Sequence, residues 1–407
     1  MVNSFPENMR KSPSRPRRIA LVTETWLPEI NGVAMSLSHM VNEMRRRGYV
    51  IQLIRPKQGR EDSATFSGGF EEVLQPGFPI PRYDNLRFGF PVVGSLKRLW
   101  RHDPPDIVQV ATEGPLGWAG LRAARSLDIP VITDFHTNFH NYSRHYGLPW
   151  LTRFIAAYLR KFHNQGLYTL VPSEGMRQEL AAQGYRNLAL IGRGVDASLF
   201  NPLRRSDALR RSWGLAEDDY AVIYVGRIAP EKNLDLACQA YDAICRQNPR
   251  AKMIWVGDGP MRQSLQKRYP AHRFVGAKTG VDLAAHYASA DIFLFPSMTE
   301  TFGNVLLEAM ASGLAVVAYR YAAASEYVTH LINGIAAPYG ERMEFCDLAE
   351  RLGSSPDLVK VLGRNARQSM EKNHWSHIAD QFEELLGLAM KRGENAEWEA
   401  RLLSIPD

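Results

Sequence analysis

Pro296-Ser-Met-Thr-Glu-Thr-Phe-Gly-Asn-Val-Leu-Leu-Glu-Ala-Met-Ala-Ser-Gly313 is the stretch from which the rest of the chain is read. An apolar run, Asp291-Ile-Phe-Leu-Phe295, precedes it, and another, Leu314-Ala-Val-Val-Ala318, follows; both read as buried strands. A strand, a loop, a helix and a second strand in this order form a βαβ unit of a parallel sheet. Two carboxylates stand out. Glu300 falls in the loop after the first strand. Glu308 falls eight positions on, inside a helix whose other residues (Val305, Leu306, Leu307, Ala309, Met310, Ala311) read as core. A carboxylate in that company is expensive unless partnered; a ribose diol is one fitting partner and a salt bridge another. The backbone N–H groups near Phe302-Gly303 open the helix and can bind phosphate.

The same alternation runs through the chain. In the first half, strands are predicted at Arg18–Thr23, Val50–Ile54, Asp106–Val110, Pro130–Thr133 and Tyr168–Val171, with helices over 33–47, 115–127, 150–164 and 174–183. The pattern restarts at Tyr220–Val225, continues with a helix to about Asn248, and adds strands at Lys252–Val256 and Arg273–Val275. Asp196–Gly214 shows little periodicity and reads as the link. A helix from about Trp375 places Ile378, Phe382, Leu385, Leu386 and Ala389 on one face. The division expected is a disordered lead-in at 1–17, a Rossmann-like domain at 18–200, a second at 201–375, and a final helix, 376–407, packing back on the first domain. Ligands sit beyond the C-terminal ends of parallel strands, so the loops after strands are where chemistry is sought, in a cleft between the two sheets.

Three such loops carry candidate groups. Thr23-Glu-Thr-Trp-Leu-Pro-Glu-Ile-Asn-Gly-Val33 ends at a helix start where Gly32 lets backbone N–H groups approach an anion; a plain turn is the competing reading. It is not a G-x-G-x-x-G fingerprint, which argues against a nicotinamide cofactor. Thr133-Asp-Phe-His-Thr-Asn138 puts His136 at a strand end, where it can serve a sugar hydroxyl or phosphate, or be structural. Val225-Gly-Arg-Ile-Ala-Pro-Glu-Lys-Asn233 places Gly226 in a tight turn and Arg227 and Lys232 before a helix. Two cations at a helix N-terminus oppose its dipole. A diphosphate between them resolves the misfit, and solvated charges on an exposed turn are the alternative.

Bulk composition bounds these readings. The 407 residues are 45% hydrophobic and 23% charged, as in ordinary globular proteins of two domains. No stretch approaches the roughly 18 apolar residues needed to span a bilayer, and the polar start lacks a secretory apolar run. Cys238, Cys245 and Cys346 form no disulfide framework or metal spacing, which fits a cytoplasmic setting. Residues 1–200 hold 25 Lys and Arg against 17 Asp and Glu, a net +8, whereas residues 201–407 net −2. No nucleic-acid module is present, leaving an anionic membrane surface or plain solvation for the basic half.

Taken together, these blocks resemble the family 4 retaining GT-B glycosyltransferases. The resemblance rests on the Glu300/Glu308 spacing preceded by Pro296-Ser, on Gly226-Arg227…Glu231-Lys232-Asn233, and on Gly257-Asp-Gly-Pro260, Pro172-Ser173 and Gly194-Val-Asp196…Phe200, over about residues 18–380. It implies an α/β GT-B fold of two Rossmann-like domains and a nucleotide-sugar donor. It implies that Arg227 and Lys232 hold the donor diphosphate, Glu308 the ribose and Glu300 the sugar hydroxyls. His136 would lie over the sugar, Gly32 near the phosphates, and Phe274 and Val275 near the base. No metal or other cofactor is implied. Asn31 departs from the two glycines many relatives carry in the first loop.

The first half looks most similar to bacterial GDP-mannose-dependent α-mannosyltransferases and to glycosyl- and sulfoquinovosyl-diacylglycerol synthases. That implies transfer from GDP-mannose, a UDP-hexose or UDP-glucuronate to a membrane lipid such as diacylglycerol, by a peripheral enzyme on the inner face of the cytoplasmic membrane. Trp150, Leu151, Phe154, Ile155, Tyr158, Leu159 and Phe162 form one helical face beside Arg153, Arg160 and Lys161, which suits a membrane surface or, alternatively, a sheet to pack on. The competing readings are a polysaccharide or small soluble acceptor, a nucleotide-sugar epimerase, and a non-catalytic binding module.

Overall fold

In the computed structural model, residues 15–29, 31–80, 83–136 and 152–402 are described. Packing divides the chain into two units, one holding Val41–Ile132 with the segments up to Glu29 and from Leu388, the other holding Ile30–Met40 and Thr133–Gly387. The lead-in expected at 1–17 lies outside the described residues up to position 14, as do Trp150 and Leu151 of the amphipathic stretch.

The six-stranded sheet lies wholly in the second unit. Its spatial order is Arg273–Gly276, Lys252–Val256, Ala221–Val225, Ile292–Phe295, Ala315–Tyr319 and Ile335–Ala337. All of its pairings are parallel. Counted within this sheet, the order is 3-2-1-4-5-6, the doubly wound Rossmann arrangement. Parallel strands covered on both faces must be apolar throughout. Ala221–Val225, Ile292–Phe295 and Ala315–Tyr319 accordingly have every residue buried. The order in which strands are added reverses between the parallel neighbours Ala221–Val225 and Ile292–Phe295, and the loops leaving these two are those carrying Arg227, Lys232 and Glu300.

The other sheet has eight strands, in the order Leu188–Leu190, Tyr168–Val171, Val131–Asp134, Ile107–Val110, Arg18–Val22, Val50–Pro56, Phe70–Gln75 and Phe66–Ser67. Here the switch point lies between Arg18–Val22 and Ile107–Val110. Glu24, just past the first, joins the two loops. Its backbone N–H donates to Thr112 Oγ1 at 3.0 Å, and its carboxylate accepts from the Leu116 N–H at 2.9 Å, at the N-terminus of the helix Pro115–Arg125. A side chain at Gly114 would overlap that carboxylate. Burial pushes the Glu24 carboxyl up to about 7, against the backbone hydrogen bonds from Leu116 and Gly89 that favour its ionised form.

The alternating pattern located most strands to within two residues. It missed the strands at or next to the sheet edges, Phe66–Ser67, Phe70–Gln75, Leu188–Leu190 and Ile335–Ala337, and the antiparallel ribbon Gly77–Ile80 with Tyr83–Gly89, a sequence dense in Pro, Gly and aromatic residues with no clean period. The aperiodic link also holds a short helix, Asp207–Ser212, capped by the Ser206 hydroxyl. Arg210 anchors it by bonding Asp291 at 2.9 Å. The final helix runs Trp375–Leu402, and Ile378, Phe382, Leu385, Leu386 and Ala389 are buried as expected.

Candidate active site

Backbone geometry at the end of Ala221–Val225 fixes the first loop. Gly226 has φ +147°, Gly257 +141° and Gly259 +153°, a region that side chains oppose. A Cβ at Gly257 would stand 1.9 Å from the Gly226 carbonyl oxygen, and one at Gly259 2.4 Å from that of Ile228. The Gly226 N–H donates to Val256 O at 3.0 Å and the Ile228 N–H to Asp258 O at 2.9 Å. The two loops are thus laced backbone to backbone, with Arg227 projecting between the lacing points.

The loop after Ile292–Phe295 meets the first loop side by side. Asn233 Nδ2 donates to Pro296 O at 3.2 Å, Thr299 Oγ1 donates to Glu231 O at 3.1 Å, and Tyr321 Oη donates to Glu300 O at 2.9 Å. Lys232 Nζ bonds Glu300 Oε1 at 2.6 Å, both side chains being mostly buried. Arg227 pairs with Glu231. The misfit inferred from two cations before a helix is therefore answered within the protein. Pro230–Lys232 is a separate 3-10 turn, Asp235 occupies the first turn of the helix Leu234–Gln247, and each cation has its own carboxylate. An arriving anion competes with Glu231 and Glu300 rather than filling an uncompensated site.

Glu308 lies on the helix Asn304–Ala311 and accepts a hydrogen bond from Tyr287 Oη at 3.0 Å. Burial pushes its carboxyl up to about 7, and the Tyr287 bond acts the other way. Among the described residues no cation bonds it; its partner is the Tyr287 hydroxyl, not the salt bridge of the alternative reading. Gly303, at φ +98°, starts this helix, and a Cβ there would stand 2.8 Å from Phe295 Cζ. Phe302 itself is a core residue, edge-on to Tyr327 at 5.9 Å, so only its backbone can face a ligand.

Phe274 and Val275, on the edge strand, point to opposite sides of the sheet. Phe274 stacks on the fully buried Trp255 at 5.8 Å with planes 5° apart, and Val275 packs against the core on the other face. Strand alternation makes this necessary, so one strand position alone cannot present both side chains to a base.

Gly32 opens the helix Gly32–Arg46 and is exposed. Asn31 explains its own presence there, since Asn31 Oδ1 accepts from the N–H of Val33 at 3.1 Å and of Ala34 at 2.9 Å. It is the helix N-cap, and it occupies two of the backbone donors a phosphate would use. The Gly32 carbonyl accepts from Asn304 Nδ2 at 3.3 Å, which sets Gly32 beside the start of the helix bearing Glu308.

His136 is buried, and both of its ring nitrogens are engaged. Nε2 lies 3.2 Å from Asp134 Oδ2, and Nδ1 lies 2.9 Å from Arg193 Nη2. Arg193 was missed in the sequence reading, although it immediately precedes the quoted Gly194-Val-Asp196 block. Burial lowers its pKa, opposed by the nearby Asp134 carboxylate. Tyr287 and Asn304 were missed as well. Their partners are remote in sequence, and no local period marks them.

Of the amphipathic stretch, the described part is the helix Thr152–His163. It divides between the two readings. Leu159 and Phe162 are buried, while Phe154 is 71% and Tyr158 42% exposed, beside the exposed Arg153, Arg160 and Lys161. Among the described residues no helix is long and apolar enough to cross a membrane.

With this geometry in hand, similarity to known proteins becomes informative. Residues 30–199 match the model for Glycosyltransferase Family 4, and residues 205–369 match that for Glycosyl transferases group 1. The chain is 33% identical over 382 residues to a GDP-mannose-dependent alpha-mannosyltransferase of Mycobacterium tuberculosis, covering 91% of this chain and 95% of that one. It is 25% identical to an alpha-monoglucosyldiacylglycerol synthase of Streptococcus pneumoniae over 357 residues, 84% of this chain and 79% of the other. In three dimensions it resembles a sucrose-phosphate synthase from Thermosynechococcus elongatus, with TM-score 0.77 and 19% identity, covering 92% of this chain and all of that one. At that identity the likeness speaks to the GT-B fold.

Proposed function

This chain belongs to the family 4 glycosyltransferases and uses a nucleotide-sugar donor, and we propose that it transfers mannose from GDP-mannose, with retention of configuration and without a metal ion, to a membrane lipid such as diacylglycerol. The observation that carries the reading is the pairing of Lys232 with Glu300 at 2.6 Å across the sheet's switch point, where open α/β sheets bind ligands. The donor is argued from the mannosyltransferase relative, and the acceptor from the diacylglycerol synthase relative together with the exposed Phe154 and Tyr158 among cations.

The chemistry proposed is charge stabilisation on a departing diphosphate. Arg227 and Lys232 take the phosphate oxygens as the leaving group gains charge, with the N–H groups of the Gly303 helix start and the Gly32 loop alongside. Because both cations are held by carboxylates beforehand, donor binding exchanges partners. As Lys232 turns to phosphate, Glu300 is released to accept hydrogen bonds from the sugar hydroxyls, so one ion pair readies both halves of the donor site. Glu308 accepts from the ribose diol, Gly226 keeps the Arg227 loop close, the Phe274/Val275 edge meets the base, and His136 faces the sugar.

The test is transfer by the pure protein with GDP-mannose, UDP-glucose, UDP-galactose or UDP-glucuronate, each with diacylglycerol-containing vesicles and with or without chelator. Mannolipid formed from GDP-mannose at the same rate in chelator is expected. Consumption of a UDP-sugar instead overturns the donor, loss of turnover in chelator overturns the metal-free step, and transfer solely to soluble sugars overturns the acceptor.

Location on the inner face of the membrane is part of the same proposal. Sedimentation with anionic vesicles should weaken as salt rises, since surface charges are screened within about 8 Å at physiological ionic strength. Phe154→Ser with Tyr158→Ser should lower vesicle binding while leaving transfer to a short-chain, water-soluble acceptor unchanged. Vesicle binding that ignores both salt and the double substitution counts against docking through this helix.

A further inference from the structure

We infer that Arg193 is a positioning residue for the transfer reaction, holding His136 neutral, in the single tautomer that carries its proton on Nε2. The inference rests on the reading that His136 faces the donor sugar, and adds what sets the state of that ring.

The argument begins with donor count. A guanidinium has N–H donors and no acceptor. Arg193 Nη2 stands 2.9 Å from His136 Nδ1, so Nδ1 must offer its lone pair. The remaining ring nitrogen, Nε2, lies 3.2 Å from Asp134 Oδ2, an acceptor, and so carries the hydrogen. A carboxylate beside a histidine ordinarily favours the imidazolium. Here a protonated ring would set an N–H on Nδ1 against the N–H of Arg193 and place two cations in contact. The guanidinium thus cancels the pull of Asp134, and the buried trio of one anion, one cation and one neutral ring carries no net charge.

The surroundings hold Arg193 in place. The Arg193 carbonyl accepts from Asn373 Nδ2 at 3.0 Å, and the Val195 N–H donates to Asn373 O at 2.9 Å. Its flanking glycines allow close packing: a Cβ at Gly194 would stand 2.7 Å from the Trp375 backbone, and one at Gly192 3.2 Å from Tyr327 Oη. Tyr327, at the end of the helix Ala323–Tyr327, is the further titratable group near the guanidinium; burial raises its pKa, so its hydroxyl stays neutral. Among the described residues, the groups facing the ring are Asp134 on its own segment and Arg193 from the loop after Leu188–Leu190, with Tyr327 behind Arg193. A neutral ring with one fixed N–H can form a directed bond to a sugar hydroxyl when donor binding shifts either partner, without adding positive charge beside the reacting carbon.

The experiment is nitrogen NMR of the full chain labelled in histidine, without donor, with the His136 signal assigned by its loss in His136→Gln. The expected result is an unprotonated Nδ1 and a protonated Nε2, one tautomer and not a mixture. Arg193→Met should free Nδ1, so that the ring signals leave the single-tautomer pattern, and lower kcat up to about 100-fold, the scale of a misplaced group, with KM little changed. Arg193→Lys, which keeps a donor cation, should restore the wild-type signal and most of kcat. A wild-type ring protonated on Nδ1 overturns the proposal, as does Arg193→Met that loses kcat with the ring signal unaltered. Should the methionine variant fail to fold, the wild-type and lysine spectra decide alone. Because the ring signals are read without donor, they stand or fall apart from the assignment of the donor.

Discussion

Lys232→Ala lowers kcat by about 100- to 1,000-fold while the protein stays folded. This is the scale on which removal of one preorganised charge-stabilising donor acts. Lys232 Nζ, 2.6 Å from Glu300 Oε1 in the free protein, changes partner on donor binding, so it already faces the diphosphate when charge develops on the leaving group. The substitution also leaves Glu300 without its cation, and an unpaired carboxylate near a diphosphate repels it. Donor affinity should fall along with kcat. Glu300→Gln tests the exchange of partners directly. It keeps the shape but ends the ion pair, so the diphosphate should bind at least as well while transfer falls, because the sugar loses its carboxylate. Kinetics with circular dichroism on both variants are decisive. Near-normal turnover in either would remove the pair from the reaction.

The second large effect is a pH dependence of donor binding set by Glu308. Its carboxyl is pushed up to about 7 by burial, with Tyr287 Oη its hydrogen-bond partner. A diol donating to it favours the ionised form and brings the pKa down in the complex. The affinity of nucleotide is therefore full above about pH 7 and falls about tenfold for each pH unit below it, so that the drop from pH 8 to pH 5 reaches about 100-fold. Calorimetric titration with nucleotide diphosphate measures this, and Glu308→Gln should bind more weakly at pH 8 and show a flat profile. A steep profile persisting in that variant assigns the proton elsewhere. Stability moves the opposite way. A carboxyl whose folded pKa lies above its unfolded value of 4.5 favours folding most below pH 4.5, and that advantage is lost as pH rises through about 7. Glu24, also pushed up to about 7, contributes with the same sign, so without donor the protein should melt at a lower temperature at pH 8 than at pH 5.5.

What could be read from the amino-acid order follows from range. Strands buried on both faces announce themselves as short apolar runs, which is why Ala221–Val225 and Ile292–Phe295 were located and the loops behind them examined. Glu308 was marked by its apolar neighbours alone. The hydroxyl that meets it belongs to Tyr287, on the helix Gly280–Ala288 of another crossover, and nothing local pairs the two. Arg227 and Lys232 do precede a helix, but the misfit with its dipole, read as calling for a diphosphate, is already answered by Glu231 four positions on and by Glu300 from 68 positions away. The state of the His136 ring depends on Arg193, 57 residues on. Asn31 was noticed as a departure, and its meaning as a helix cap emerged only with the side-chain geometry.

The laced glycines carry an evolutionary consequence. At Gly257 and Gly259 a Cβ would run into a backbone carbonyl oxygen, Gly226 holds a positive φ that side chains oppose, and main-chain hydrogen bonds tie the Arg227 loop to its neighbour. Selection for a new sugar or base has few small steps available at these three positions, because a replacement must first shift the backbone at Gly257 and Gly259 or strain it at Gly226. Adaptation must proceed through side chains around the rim, on the Arg273–Gly276 edge and in the Glu300 loop. A saturation library spanning both regions would return survivors from the rim and almost none from Gly257 and Gly259, leaving a fixed backbone frame beneath a changeable collar.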